Sequence, residues 1–287
     1  MPLSLPALAR TPDAAISPPV SRFWRDPALP FIEARDVSDG RQISHALHAH
    51  ESFSIGAVTA GQSTYLNGES RCDVRAGTVV LMNPGAVHAC NPLDDQLWAY
   101  HMLYVDAPWL AALQGRLGMG DGKQLVPLAP LLSTDRTLFL ALVQLYACLV
   151  DPARSAGEKE RQALAYFTAM LCTLARTPAP ALPVPGQLQQ VADYIRAHCT
   201  EALTLEDLSA VAGLSASYLI RAFKQRYGMT PHAWLNDARL QYARRQLRDG
   251  VTIAEAAQAA GFADQAHLQR LFKRSLATTP GHYRQGR

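Results

Sequence analysis

Three hydrophobic rhythms divide the chain. From about residue 31 to 106, apolar residues come in short runs rich in β-branched and aromatic types: FIEARDV, RQISHAL, FSIGAVTAG, STYL, GTVVLM and LWAYHMLYV. Several alternate with period two. Turn signals separate them at Ser38-Asp39-Gly40, Asn67-Gly68 and Asn83-Pro84-Gly85. Many short strands at this spacing predict an antiparallel sandwich or small barrel. Between 107 and 176 the period becomes helical: Leu138, Leu142, Leu145 and Leu149 form one stripe, and Leu164, Phe167, Leu171 and Leu174 a second. TPAPALPVPG (177–186) carries four prolines in ten residues. Such a stretch neither continues a helix nor joins a central strand, so it predicts a linker.

Beyond the linker the helical pattern repeats itself. TLEDLSAVAGLSASYLIRAFKQRYGMTPHAW (204–234) aligns with TIAEAAQAAGFADQAHLQRLFKRSLATTPGHY (252–283) at an offset of 48 up to Gly213 and Gly261, and of 49 after them. Each copy opens with a threonine, Thr204 or Thr252, and a carboxylate three residues later, Asp207 or Glu255. That spacing caps a helix start. A short helix then reaches a glycine able to take the left-handed conformation. A second helix follows, with Leu219 and Phe223, or Leu268 and Phe272, on its buried face. Short helix, glycine turn and second helix form either a plain α-hairpin or a helix-turn-helix, whose second helix enters the DNA major groove. Thr230-Pro231 begins a long helix between the copies, ended by Gly250.

Charge favours the DNA-binding alternative. The formal net charge is only +3, but residues 1–186 hold 14 Lys/Arg against 16 Asp/Glu, and residues 187–287 hold 13 against 8. The basic excess sits on the repeated segment, as expected of a part that meets a polyanion. At 287 residues the chain fits two domains, and its 48% hydrophobic content excludes a disordered polymer. No run approaches 18 apolar residues, so no membrane partner is expected. The first residues, MPLSLPALARTPDAAISPP, lack a cationic start and an unbroken apolar core. Five cysteines (72, 90, 148, 172, 199) show no CxxC pairing. Reduced thiols and a cytoplasmic location are expected.

Residues 187–287 resemble the two-headed DNA-binding domain of the AraC/XylS family of bacterial transcription regulators. The resemblance rests on the repeat, on Gly261-Phe262, on the LxRxFK run from Leu268 to Lys273 and on the closing TPxxYR from Thr279 to Arg284. HAHESF and RAGTVVLMNPGAVH, in that order, resemble the cupin-like sensor domain of such regulators. The resemblance implies an α+β chain: a cupin-like antiparallel β-barrel with trailing helices, then an all-α double helix-turn-helix. The expected divisions are an arm (1–24), a sensor (25–106), a helical dimerisation segment (107–176), the linker (177–186) and the DNA-binding domain (187–287). Carried over motif by motif, it places Ser215, Ser217, Ile220 and Arg221 on the first reading helix and Gln265, Ala266, Gln269 and Arg270 on the second. Arg pairs with guanine and Gln with adenine, whereas Ile220 and Ala266 can read a thymine methyl or groove shape. Lys224, Lys273 and Arg274 suit phosphates.

The HxH of His48 and His50 places both side chains on one face of a strand, and His88 follows thirty-eight residues later. Three inward imidazoles make the metal site of enzymatic cupins, where a carboxylate completes the set. Here Ser52, Phe53, Ser54 and Ile55 occupy its place, so neither a metal nor a cofactor is expected. His48, His50, His88 and Tyr65 are the candidates for an effector pocket. Cys72 and Cys90 are expected to be packing residues. The sequence thus predicts an effector-responsive transcription regulator, an activator rather than an enzyme. Double-stranded DNA, a small-molecule effector, RNA polymerase and a second copy of the chain are its expected partners. Two alternatives remain: a metal-dependent cupin enzyme with a DNA-binding tail, and a DNA-binding protein that answers to no effector.

Overall fold

The computed structural model describes residues 21–68, 70–93, 96–174 and 186–286. Apart from Ser21–Trp24 and Gly186, the expected arm and linker lie outside the described residues. The first half is an eight-stranded antiparallel sheet: β1 (Ser21–Trp24), β2 (Ile32–Val37), β3 (Phe53–Asn67), β4 (Ser70–Arg75), β5 (Val79–Met82), β6 (His88–Pro92), β7 (Trp98–Val105) and β8 (Leu132–Ser133). The order is β1-β2-β7-β3-β5-β8, and β4 and β6 flank the far half of β3.

Sequence patterning predicts two strands over 53–66, but the structure has one. The register against β7 slips between Val58 and Ala60, so the chain bends there without losing its partner. Gly61 makes the bend possible: its φ is 68°, and a Cβ would lie 1.4 Å from the Leu97 carbonyl oxygen. The strand expected over RQISHAL is absent. Its backbone polar groups are satisfied elsewhere: His45 N donates to Asn91 Oδ1 (2.7 Å), Ala46 N to Arg274 O (2.9 Å), and His48 pairs with His88. Strands β1, β4 and β6 lie in segments whose weaker alternation predicts no strand.

Strand alternation makes two cores. Phe53, Ile55, Ala57, Val79, Leu81, Leu103 and Val105 face a layer of helices, α1 (Ala107–Arg116), α2 (Arg136–Val150) and α3 (Ala156–Leu174). Leu138, Leu142, Leu145 and Leu149 of α2 meet this face as their spacing predicts. On α3 the buried stripe runs through Ala163, Phe167, Met170, Leu171 and Leu174, and the expected Leu164 is instead 39% exposed. The inner face carries Val37, Val58, Val80, Met82, Tyr100, Met102 and Tyr104.

The second half comprises α4 (Gly186–Ala197), α5 (Leu205–Ala212), α6 (Ala216–Tyr227), α7 (Pro231–Arg248), α8 (Ile253–Ala259), α9 (Gln265–Leu276) and α10 (Pro280–Gln285). Helix α7 serves two cores. Trp234 and Leu235 pack with Leu208, Leu219 and Phe223, while Leu240, Ala243 and Leu247 pack with Ala256, Leu268, Phe272 and Tyr283. One rigid helix thereby sets the separation of both repeats.

Candidate nucleic-acid interface and ligand pocket

Both repeats fold as their caps dictate. Thr204 Oγ1 accepts from Asp207 N (3.2 Å) and Asp207 Oδ2 from Thr204 N (2.9 Å). Thr252 and Glu255 make the same reciprocal pair at 3.3 and 3.1 Å. These bonds hold both carboxyls below their usual range. Gly213 ends α5 at φ 63° and Gly261 follows α8 at φ 78°. Each turn aims a second helix, α6 or α9, outwards.

On α6 the structure exposes Ser215, Ser217, Arg221 and Lys224, but leaves Ile220 half-buried in a cleft that Leu203, Leu208 and Leu235 also line. On α9 Gln265, Ala266, Gln269, Arg270, Lys273 and Arg274 are all exposed. Among the described residues none of these five basic side chains is in an ion pair, so their charge is available to a polyanion. Sequence reasoning passed over Tyr218, 52% exposed on α6 beside Ser217. Its signal was its position next to the buried Leu219, on a helix whose other exposed residues are polar.

In the sensor, His48, His50 and His88 converge on one cavity of about 30 Å³. Their ring centroids lie 4.5 to 4.9 Å apart, and each presents a nitrogen within 4.8 Å of the others. Neighbouring carbonyls fix two of the rings, which donate from Nδ1: His48 to Ala46 O (2.7 Å) and His88 to Ala86 O (2.8 Å). Burial pushes His88 down to about 4. Burial and the charge on Arg35 push His45 down to about 3. Burial and then the neighbouring His88 carry His48 and His50 well below the ordinary range. All four imidazoles are neutral at pH 7. Burial also lifts the Cys90 thiol to about 12, which makes it a poor nucleophile and consistent with a packing role.

Tyr65 does not reach the cavity. Its buried hydroxyl donates to Leu81 O (2.6 Å). The lining instead includes residues that sequence reasoning missed, notably Arg35, His45 and, from the far domain, Leu276. In IEARDV, Arg35 falls on the face opposite Ile32 and Ala34, where a charged residue reads as solvent-facing; here that face is the barrel interior. The three imidazoles have the number and spacing of a metal's nitrogen ligands, but their surroundings oppose a cation. No carboxylate among the described residues lines the cavity. The guanidinium of Arg35 faces it, and that of Arg244 donates to His50 Nδ1 (3.5 Å).

Below the cavity the two domains are joined by a buried cluster. Glu33, 4% exposed, accepts from Arg25 Nε (2.7 Å), Tyr283 Oη (2.9 Å) and Arg244 Nη2 (3.3 Å). Burial raises its pKa, but Arg244 and Arg25 outweigh burial and hold Glu33 below the carboxylate range. Gln241 Nε2 donates to Ala49 O (2.8 Å), His45 Nδ1 to Ser275 O (3.0 Å), and Arg245 pairs with Glu51. Phe23 of β1 inserts into the core of the second repeat, edge-on to Tyr283 at 5.0 Å.

Comparison with known proteins agrees with this architecture. Residues 35–167 match the AraC-like ligand binding domain and residues 208–286 a helix-turn-helix domain. The uncharacterized HTH-type transcriptional regulator YbfI of Bacillus subtilis (strain 168) is 27% identical over 227 residues, covering 77% of this chain and 80% of that protein. The transcriptional activator NphR of Rhodococcus sp is 36% identical over 119 residues, 41% of this chain and only 35% of that protein. Among solved structures, ToxT from Vibrio cholerae O395 superposes with a TM-score of 0.56 over 93% of this chain and 97% of that one. At 11% identity the likeness to ToxT is one of fold. With a sensor domain of this type ahead of a doubled helix-turn-helix, the chain belongs to the AraC family of transcriptional regulators.

Proposed function

We propose that this protein is an effector-responsive, sequence-specific transcription activator rather than an enzyme. The doubled helix-turn-helix carries the reading: two capped units on one shared helix, each presenting a basic second helix with no internal ion pair. Helices α6 and α9 enter successive major grooves on one face of the duplex, about 34 Å apart, and one chain covers an asymmetric site of roughly 17–20 bp. Arg221, Arg270, Gln265 and Gln269 contact base edges, with Ser215, Ser217, Ile220 and Ala266 completing the fit. Lys224, Lys273 and Arg274 hold phosphates.

The effector lies among His48, His50 and His88. A ligand that binds one arrangement of the two domains more tightly shifts the population towards it. The name of the relative NphR supports activation, and thus an RNA polymerase contact, in a cytoplasmic protein. No helix among the described residues is long and apolar enough to cross a membrane. Pairing of two copies through the helical layer is supported by Leu140 and Leu164, exposed on its outer surface.

Fluorescence anisotropy tests the reading, with the chain's own upstream intergenic DNA set against scrambled DNA of equal length across a salt series. The expected result is a specific excess of about a thousandfold. Equal, steeply salt-dependent binding to both would leave only a basic surface and overturn the proposal.

A further inference from the structure

Three polar atoms on the wall of the sensor cavity have no hydrogen-bond partner among the described residues: Arg35 Nη2, Trp98 Nε1 and Ser63 Oγ. The first two can only donate a hydrogen bond, and the third can donate one. All three residues are buried, Arg35 at 1% exposure. Its Nε donates to Ser21 Oγ (2.9 Å), and it has no ion pair among the described residues. A buried guanidinium without a counter-charge carries a large desolvation cost, and orphaned donors add to it. Among the described residues the rest of the wall supplies no anion: it holds no carboxylate, and Cys90 is a thiol at pH 7. What remains is apolar, chiefly Val58, Val74, Val80, Met82 and Met102.

The cavity is also nearly full. About 30 Å³ holds little more than a water molecule, against the roughly 300 Å³ or more of an occupied small-molecule site. Among the described wall residues only Leu276 comes from the DNA-binding half, and it is the last residue of α9. Room for a ligand is therefore gained most directly by moving Leu276.

We infer that the cavity binds an organic carboxylate with a compact apolar body, its acid group held by Arg35 and the neighbouring free donors, and that this ligand displaces Leu276. The inference rests on the effector-responsive reading and narrows it to a ligand class. A dication would meet the Arg35 charge at the wall. A sugar would bring a ring of hydroxyl groups against valines and methionines.

The test uses the full chain at pH 7.5, with thermal unfolding and calorimetry as readouts. Benzoate and hexanoate are compared with their neutral isosteres benzamide and hexanamide. The acids are expected to bind saturably and about tenfold or more tightly than the amides, the margin of a charge-assisted over a neutral hydrogen bond. Arg35→Met is expected to erase that preference. Leu276→Ala, which opens the cavity without touching Arg35, is expected to tighten both acids while keeping it. Equal binding of acids and amides, or no acid binding by either the native chain or Leu276→Ala, would overturn the inference. DNA anisotropy on the same samples separates the two claims. Specific DNA binding without any acid response leaves the regulator and removes the carboxylate; acid binding without specific DNA binding does the reverse.

Discussion

Glu33→Gln is the perturbation that most directly tests whether the two domains are held together by charge. Glutamine keeps the shape of the side chain but removes the anion that Arg25, Arg244 and Tyr283 share. It also turns an amide towards donors that need an acceptor. Arg244, only 7% exposed, is then left without its carboxylate, and breaking a buried pair in this way costs about 3–5 kcal/mol. At 1.4 kcal/mol per tenfold, that lowers the ratio of docked to undocked chains by roughly two to four orders of magnitude. Urea unfolding at pH 7 followed by tryptophan emission reads the loss, because Trp98 reports the barrel and Trp234 the first repeat. The expected outcome is an early transition in one domain that the native chain lacks. Arg244→Met should cost a comparable amount, and the double variant should cost less than the sum by about 1 kcal/mol or more, since the second change removes the stranded charge. Glu33's pKa is depressed on folding, so this stability is complete above the ordinary carboxylate range and is lost as pH falls through the lower folded value. Strictly additive variants, or Glu33→Gln within about 0.5 kcal/mol of the native chain, would refute the charge argument and leave apolar contacts such as that of Phe23 as the tie.

Four further outcomes are expected. Arg221→Ala and Arg270→Ala each weaken specific DNA binding by about 1–3 kcal/mol in anisotropy titrations, while binding to scrambled DNA changes far less; equal losses on both DNAs would reassign the residue to phosphate. Thr204→Ala and Thr252→Ala each remove a reciprocal cap and lower stability by about 1 kcal/mol in urea melts, with Ser in place of Thr restoring most of it. Stoichiometric zinc and EDTA both leave the melting temperature unchanged, because Arg35 and Arg244 oppose a cation at the three imidazoles; a rise of several degrees with zinc would reverse that argument. Asp237, half-buried at the domain junction, has its pKa raised by burial to about 7. Its contribution is therefore full below the ordinary carboxylate range and lost as pH rises through 7, opposite in sign to the buried histidines, whose depressed values favour folding at higher pH. Asp237→Asn should remove the first slope alone, seen by comparing urea midpoints of both proteins between pH 4.5 and 7.5.

Legibility in the sequence followed the range of the interactions. The repeat was readable because each unit is stabilised locally: Thr204 and Asp207 satisfy each other within one turn, and Gly213 needs no distant partner to adopt φ 63°. The inward HxH was readable because strand alternation is a local rule, and His48, His50 and His88 do meet. Long-range effects were not. Leu164 belongs to a valid helical stripe, but α3 is rotated so that Ala163 and Met170 face the sheet and Leu164 does not. RQISHAL has strand composition, yet its hydrogen bonds go to Asn91 and to the end of α9. Tyr65 was a reasonable pocket residue until Leu81 O took its hydroxyl. Arg35 was the most instructive omission, since a charge on an alternating strand reads as the wet face unless the partner that closes the barrel is known.

The same long-range contacts offer a route by which a ligand in the sensor would act on DNA binding. The last turn of α9 is fastened to the sensor three times in succession: Arg274 O accepts from Ala46 N, Ser275 O from His45 Nδ1, and Leu276 caps the cavity. Arg270, Lys273 and Arg274 lie on the outer face of that helix, within two turns of the fastening. Helix α7 ties α9 to the first repeat through Leu240 and Leu247 on one side and Trp234 on the other. Displacing Leu276 would therefore loosen the sensor's hold on the α9 end of the DNA-binding half, while α7 keeps both helix-turn-helix units intact. The coupling needs no new contact at the DNA. It needs only that the packing around Leu276 have two discrete arrangements, filled by the leucine or filled by a ligand, because close-packed interiors switch between arrangements rather than deform continuously.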